Sequence, residues 1–125
     1  MEAWRGMKNI RLEQVLAIVE ESGQRYAEFL RVPAMSAGLY VLPVEAVDLQ
    51  TPHTEDELYY VLQGRAQMQV GAEDFAVGAG AFVFVEAGVE HRFHTIEEEL
   101  SMLVFFAPAE GRAAEGVAAA SGGPG

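Results

Sequence analysis

Cysteine is absent from the chain, which excludes disulfides, thiolate nucleophiles, cysteine-based zinc sites and iron–sulfur clusters. Positive charge is also scarce. Lys and Arg number 8 against 19 Asp and Glu, for a net charge of −11. Binding to nucleic acid or to an anionic membrane needs clustered positive charge, so neither partner is expected. No apolar run approaches the ~20 residues that span a bilayer. The opening MEAWRGMKNIRLEQ lacks the basic-then-apolar order of a signal peptide. These absences predict a soluble cytoplasmic protein. A Walker-type loop, a GxSxG elbow and a helix-borne HExxH are missing too, so nucleotide-binding and serine-hydrolase readings have no support.

What remains is a chain of 125 residues, half of them hydrophobic, which suits one domain. Leu12, Val15, Leu16 and Val19 fall at helical spacing and predict a short amphipathic helix over Asn9–Gly23. Gly23 is suited to the left-handed position that ends a helix. A helix this short is marginal alone and is expected to pack on the body of the protein. From Gln24 the helical period gives way to short apolar runs separated by Gly, Pro or acidic turns. The predicted strands are Tyr26–Arg31, Gly38–Leu42, Glu57–Leu62, Ala66–Val70, Asp74–Val77, Ala81–Val85, His91–Ile96 and Leu100–Phe106. Gln63-Gly64 and Glu97-Glu98-Glu99 read as turns between them. Many short strands with frequent turns predict an all-β sandwich or barrel. The expected organisation is an N-terminal extension and helix over 1–23, a barrel over 24–107, and a disordered Ala/Gly-rich tail over 108–125. Tyr59, Phe82, Phe84, Phe93, Phe105 and Phe106 are expected to fill the core or the space between sheets.

All three histidines lie in two stretches, TPHTEDELYYVLQG (Thr51–Gly64) and GAFVFVEAGVEHRFHT (Gly80–Thr95). Strand alternation puts Glu57, Tyr59 and Val61 on one face, and His53 shares their parity. His91, Phe93 and Thr95 likewise share a face, opposite Arg92 and His94. A single histidine is more often structural than a ligand. Two of them converging with Glu57 suit a shared site, because two His and one carboxylate with open positions form a known transition-metal ligand set. Glu55 would add a carboxylate if its segment folds inward, and Thr51 could hydrogen-bond a bound water. His94 is expected on the outer surface or behind the ligands. Tyr59, Met68 and Phe93 are candidates to line a pocket, with core packing as the competing reading. The opposite face of the predicted Glu57–Leu62 strand, carrying Leu58, Tyr60 and Leu62, needs cover from another sheet or a partner subunit.

The same two stretches resemble the cupin superfamily, whose motifs run G-x5-H-x-H-x3-4-E-x6-G and G-x5-P-x-G-x2-H-x3-N. His53, Glu57 and Gly64 match the first in spacing, and Gly80, Gly88 and His91 match the second. Thr51 stands at the first histidine, Glu45 at the leading glycine, Glu86 at the proline and Thr95 at the asparagine. The resemblance spans about residues 25–107. It implies a small double-stranded β-helix, or jelly-roll, barrel holding a divalent metal (Fe, Mn, Ni, Cu or Zn) on His53, Glu57 and His91. It also implies a homodimer and a small-molecule ligand or substrate. If the protein is an enzyme, the implied chemistry is oxygenation, isomerisation or decarboxylation. The alternative is a non-catalytic ligand-binding or sensor barrel, metal-bearing or metal-free.

Overall fold

The structure, a computed structural model, describes residues 8–48 and 53–111. It contains one helix, α1 (Leu12–Ser22), and six strands: β1 (Tyr26–Val32), β2 (Met35–Leu42), β3 (Asp56–Val70), β4 (Glu73–Gly78), β5 (Phe82–Val85) and β6 (His91–Ala107). The strands form one antiparallel sheet in the order β1-β2-β6-β3-β4, with β5 also pairing β3. Folded on itself, this sheet is the expected all-β barrel. Among the described residues no helix is long and apolar enough to cross a membrane.

β3 and β6 each replace two predicted strands. Gln63-Gly64 and Glu97–Glu99 are not turns; they are bends inside continuous strands whose register slips between Val61 and Gln67. Gly64 has φ +103°, open to glycine and strained for other residues. A Cβ there would lie 2.8 Å from the Glu99 carbonyl carbon and from Leu100 Cα. The two backbones therefore approach this closely only because position 64 has no side chain.

The bends reset the alternation. In β3 the inward residues are Glu57, Tyr59 and Val61 before the bend, then Ala66 and Met68 after it. In β6 they are His91 and Phe93, then Ile96, and then Leu100, Met102, Val104 and Phe106. Thr95, expected to share the His91 face, instead takes φ 50° and is exposed, which shifts the parity to Ile96. Each bend works as a bulge that turns a strand from one wall of the barrel into the next.

The helix buries Val15 and Val19 against Leu39, with Leu62 and Leu103 alongside. Leu12 and Leu16, placed on the same predicted stripe, stay exposed, so the buried stripe is narrower than expected. α1 ends at Gly23 in the left-handed conformation, with the Gly23 N–H donating to the Val19 carbonyl. Phe82 and Phe84 were expected inside and instead point outward. The short strand β5 turns its two valines into the core and its two phenylalanines to the surface. Beyond β6, residues 108–111 fold back on the barrel. Ala109 is buried, its N–H donates to the Pro33 carbonyl, and the Glu110 N–H donates to Ser36 Oγ. The rest of the Ala/Gly-rich tail lies outside the described residues.

Candidate metal centre

β3 and β6 run antiparallel, so the start of each lies beside the far end of the other. His91 pairs with Val70, thirteen residues along β3 from Glu57. On a flat ladder that offset would separate His91 from Glu57 by about 40 Å. In the folded barrel His91 Nε2 lies 3.0 Å from Glu57 Oε1. The bends at Gly64 and Thr95 create this meeting by curling both strands over the interior.

His53 arrives from the segment before β3. The Gly88 N–H donates to its carbonyl at 2.7 Å, and the Ala87 N–H donates to Asp56 Oδ1 at 2.9 Å. These two bonds clip the β5–β6 connection to the strand entry and fix the backbone that carries the His53 imidazole. Its Nε2 is 4.0 Å from Glu57 Oε1. One ligand atom from each of His53, Glu57 and His91 lies within 4.8 Å of the others, and all three residues are buried.

Five polar atoms of this trio are buried without a hydrogen-bond partner: both ring nitrogens of His53, both carboxylate oxygens of Glu57, and His91 Nε2. The 3.0 Å approach of His91 to Glu57 is close but lacks the alignment of a hydrogen bond. On its other side, His91 Nδ1 lies 2.9 Å from the Val89 carbonyl. A proton on Nδ1 satisfies that carbonyl and leaves Nε2 as a bare lone pair facing a carboxylate oxygen. Buried lone pairs facing each other are costly. Either a cation or a proton between them removes the cost. A divalent metal fits the donor set: two imidazoles and one carboxylate, all convergent and all unsatisfied.

The electrostatics separate the two histidines. Burial lowers the pKa of His53, only partly opposed by the Glu57 charge. Burial acts the same way on His91, but contact with Glu57, its charge and the Val89 carbonyl outweigh it and raise the pKa. Without metal, His91 is thus the group that holds a proton against Glu57, while His53 stays neutral.

Around the trio, Tyr59 packs edge-on to His91 with centroids 6.0 Å apart and to Phe93 at 5.1 Å. Phe93 and Met68 are fully buried core residues. Glu55 folds inward, but its Oε2 accepts from Thr54 Oγ1 and the Gly111 N–H, and it stands outside the convergent group. His94 lies on the outer side, with Nε2 3.0 Å from Asp74. Thr51 lies outside the described residues.

Sequence reading missed Asp48 and Tyr26, and read Phe106 only as a packing residue. Asp48 is buried, accepts from the Tyr40 hydroxyl at 2.6 Å, and accepts from the Phe93 N–H at 2.8 Å. It thereby ties the loop after β2 to the strand that carries His91. Nothing in EAVDLQ signals this, because the partner lies 45 residues away. Phe106 packs edge-on to His53 at 5.2 Å, a contact foreshadowed by its parity in β6. The Tyr26 ring crosses Gly38, where a side chain would collide with it, and its hydroxyl is buried without a partner.

Comparison with known proteins agrees with this architecture. The cupin domain family profile matches residues 38–107. An uncharacterized protein of Streptomyces coelicolor is 45% identical over 104 residues, covering 83% of this chain and 99% of its own. The solved structure of TT1209 from Thermus thermophilus is similar with a TM-score of 0.66 at 24% identity, covering 82% of this chain and 99% of that one. The cupin domain of Cnp3 from Schizosaccharomyces pombe gives a TM-score of 0.62 at 20% identity, over 66% of this chain and 63% of its own. With the family match spanning more than half its length, on a barrel whose long bent strands bring His53, Glu57 and His91 together, the chain belongs to the cupin-domain family.

Proposed function

We propose that this cupin binds one divalent transition metal through His53, Glu57 and His91 and uses the barrel interior to bind or convert a small molecule. The observation that carries the reading is the convergence of one ligand atom from each of His53, Glu57 and His91, in a buried trio five of whose polar atoms have no hydrogen-bond partner. When bound, the metal would supply Lewis acidity or oxygen activation at the coordination positions that the three side chains leave open. The chain's own residues do the rest. Val89 holds His91 in the tautomer that presents Nε2. Phe106 and Tyr59 wall the imidazoles with rings and keep water off them. The alternative is a metal-free binding barrel in which a protonated His91 pairs with Glu57, and the 3.0 Å approach of His91 Nε2 to Glu57 Oε1 supports it.

Metal analysis of the full chain, prepared without an affinity tag, separates the two. Reconstitution with Fe(II), Mn(II), Ni(II), Cu(II) and Zn(II) in turn is expected to give close to one ion per chain for at least one metal. His53→Ala, His91→Ala and Glu57→Gln should each abolish that binding, and His94→Ala should leave it intact. Trace metal in every reconstitution would sink the metal reading and leave the binding barrel. Loss of metal in His94→Ala equal to the others would refute the assignment of ligands.

A further inference from the structure

A second group of unsatisfied oxygens lies where residues 108–111 fold back on the barrel. Ser36 is fully buried on the inner face of β2, and its Oγ accepts from the Glu110 N–H at 2.8 Å. Gly38 shares that face about 7 Å further along the strand. The Tyr26 hydroxyl lies where a side chain on Gly38 would stand. Glu55 enters from the segment before β3, is 1% exposed, and accepts from the Gly111 N–H at Oε2 at 2.9 Å. Two consecutive residues, Glu110 and Gly111, thus gather Glu55 and Ser36 into one corner beside Tyr26. Three oxygens of this corner are buried without a partner: Glu55 Oε1, Glu110 Oε2 and the Tyr26 hydroxyl. All three stand outside the metal trio. The corner is also short of positive charge. Arg31 donates to the Glu110 carbonyl at 2.7 Å and to Glu28 Oε1 at 3.0 Å, and the three oxygens stay unsatisfied beside it. Burial, with the charges of Glu110, Glu28 and Glu57, keeps the Tyr26 hydroxyl in its neutral form. Buried carboxylates with neither a cation nor a full set of hydrogen bonds are costly.

We propose that this corner is the subsite for a protonated primary amine on the small molecule that the barrel binds, with Glu55, Glu110 and Tyr26 accepting its three N–H groups. The proposal rests on the reading of the barrel interior as a small-molecule site and adds the charge class of that molecule. An alkylammonium head has three donors and no acceptor, which matches three oxygens that lack donors. It also brings the positive charge that the carboxylates lack, and charge-assisted hydrogen bonds are the strong ones. A hard metal ion fits less well, because calcium takes about six to eight oxygen ligands. Among the described residues, the His and carboxylate group that could hold a metal is the separate trio of His53, Glu57 and His91. A water molecule would bridge two of the oxygens and neutralise neither carboxylate. A neutral or anionic ligand leaves both charges unpaired. The charge of Glu57 is felt at both Tyr26 and Glu110. A molecule anchored here by its amine therefore lies next to the metal centre.

Titration of the full chain with n-butylamine, followed by the amide NMR signals of Glu110 and Gly111, tests the proposal. At about pH 8 an alkylamine is protonated and the carboxylates are charged. Butylammonium is expected to bind saturably with a Kd on the order of 1 mM, as suits so small a ligand. At constant ionic strength, 1-butanol and butyrate should bind about tenfold more weakly or worse. Glu55→Gln and Glu110→Gln should each weaken the amine on the order of tenfold. Tyr26→Phe keeps the ring over Gly38, should weaken it about threefold, and serves if a glutamine variant is misfolded by circular dichroism. No saturable binding of butylammonium up to about 100 mM overturns the proposal, as does equal affinity for 1-butanol. Unchanged affinity in both glutamine variants overturns it too, by placing the amine elsewhere. Displacement of butylammonium by calcium at a lower concentration would overturn it in favour of an inorganic cation. The titration is run on metal-free and metal-loaded protein. Amine binding without any metal binding sinks the metal reading alone, and the reverse result sinks this proposal alone.

Discussion

Replacing Gly64 with alanine tests the claim that one close backbone crossing builds the site. Two costs are imposed. An L-residue at φ +103° sits in a region that costs about 1–2 kcal/mol. The new Cβ would also lie 2.8 Å from the Glu99 carbonyl carbon and Leu100 Cα, and closer still to the Glu99 carbonyl oxygen. These are backbone atoms, so no rotamer change relieves the clash, and β3 and β6 must move apart at a further cost of about 1–3 kcal/mol. A domain of this size has roughly 5–15 kcal/mol in total. Gly80 supplies the control, because its φ is +91° with nothing within 4 Å of an added Cβ. Gly80→Ala therefore pays the dihedral cost alone, and the unfolded-state benefit of removing glycine is common to both variants. Urea denaturation is expected to show Gly64→Ala less stable than Gly80→Ala by at least about 2 kcal/mol. Gly64→Ala should also lose metal affinity, since a wider crossing uncurls the strands that bring His91 to Glu57. Equal stability of the two variants, within about 0.5 kcal/mol, would refute the argument that the crossing at Gly64 is sterically tight.

Two further predictions concern pH. A histidine must be deprotonated to bind metal, and the His91 pKa is raised by Glu57 and the Val89 carbonyl against the effect of burial. Metal affinity should therefore begin to fall at a pH above the ordinary histidine value of 6.5 as the solution is acidified, approaching tenfold per pH unit; calorimetric titrations at about pH 6, 7 and 8 check this, and a constant affinity would contradict it. Burial, with the charges of Glu28, Glu55 and Glu57, pushes the Glu110 carboxyl up to about 7 from 4.5. A raised carboxyl stabilises the fold most when protonated in both states, so between about pH 4.5 and 7 the metal-free chain should lose up to roughly 3 kcal/mol from this group as pH rises. Glu110→Gln should flatten that decline in urea titrations, and a variant whose profile parallels the wild type would refute the assignment. His91, also raised, contributes a loss of the same sign centred higher, and His53, lowered, opposes it; both are common to the two proteins.

Much of this was legible in the sequence because alternation is local. Glu57, Tyr59 and Val61 point inward together, as do His91 and Phe93, and each set lies in a stretch of strand without a bend. The same rule failed at Thr95, where the backbone turns to positive φ and exchanges the faces. It also had no purchase on β5, whose sequence FVFV alternates between two apolar types. Size alone favours burying phenylalanine, yet pairing with β3 decides otherwise. Val83 and Val85 sit opposite Tyr59 and Glu57 on the inward face, and the smaller residues leave room for the tyrosine and the imidazoles. Gln63-Gly64 reads as a turn for a sound reason, since glycine at positive φ commonly ends a strand. The distinguishing fact is that Glu99 occupies the space a side chain would need, and that contact spans 35 positions of chain. Asp48 and Glu55 escape for the same reason: each is buried through partners far away in sequence, on Phe93 and Gly111. Local pattern therefore locates His53, Glu57 and His91, while the long-range crossings that hold them together appear only in three dimensions. The crossing at Gly64 belongs to the second kind, so a change there should disturb a site whose own residues it leaves untouched.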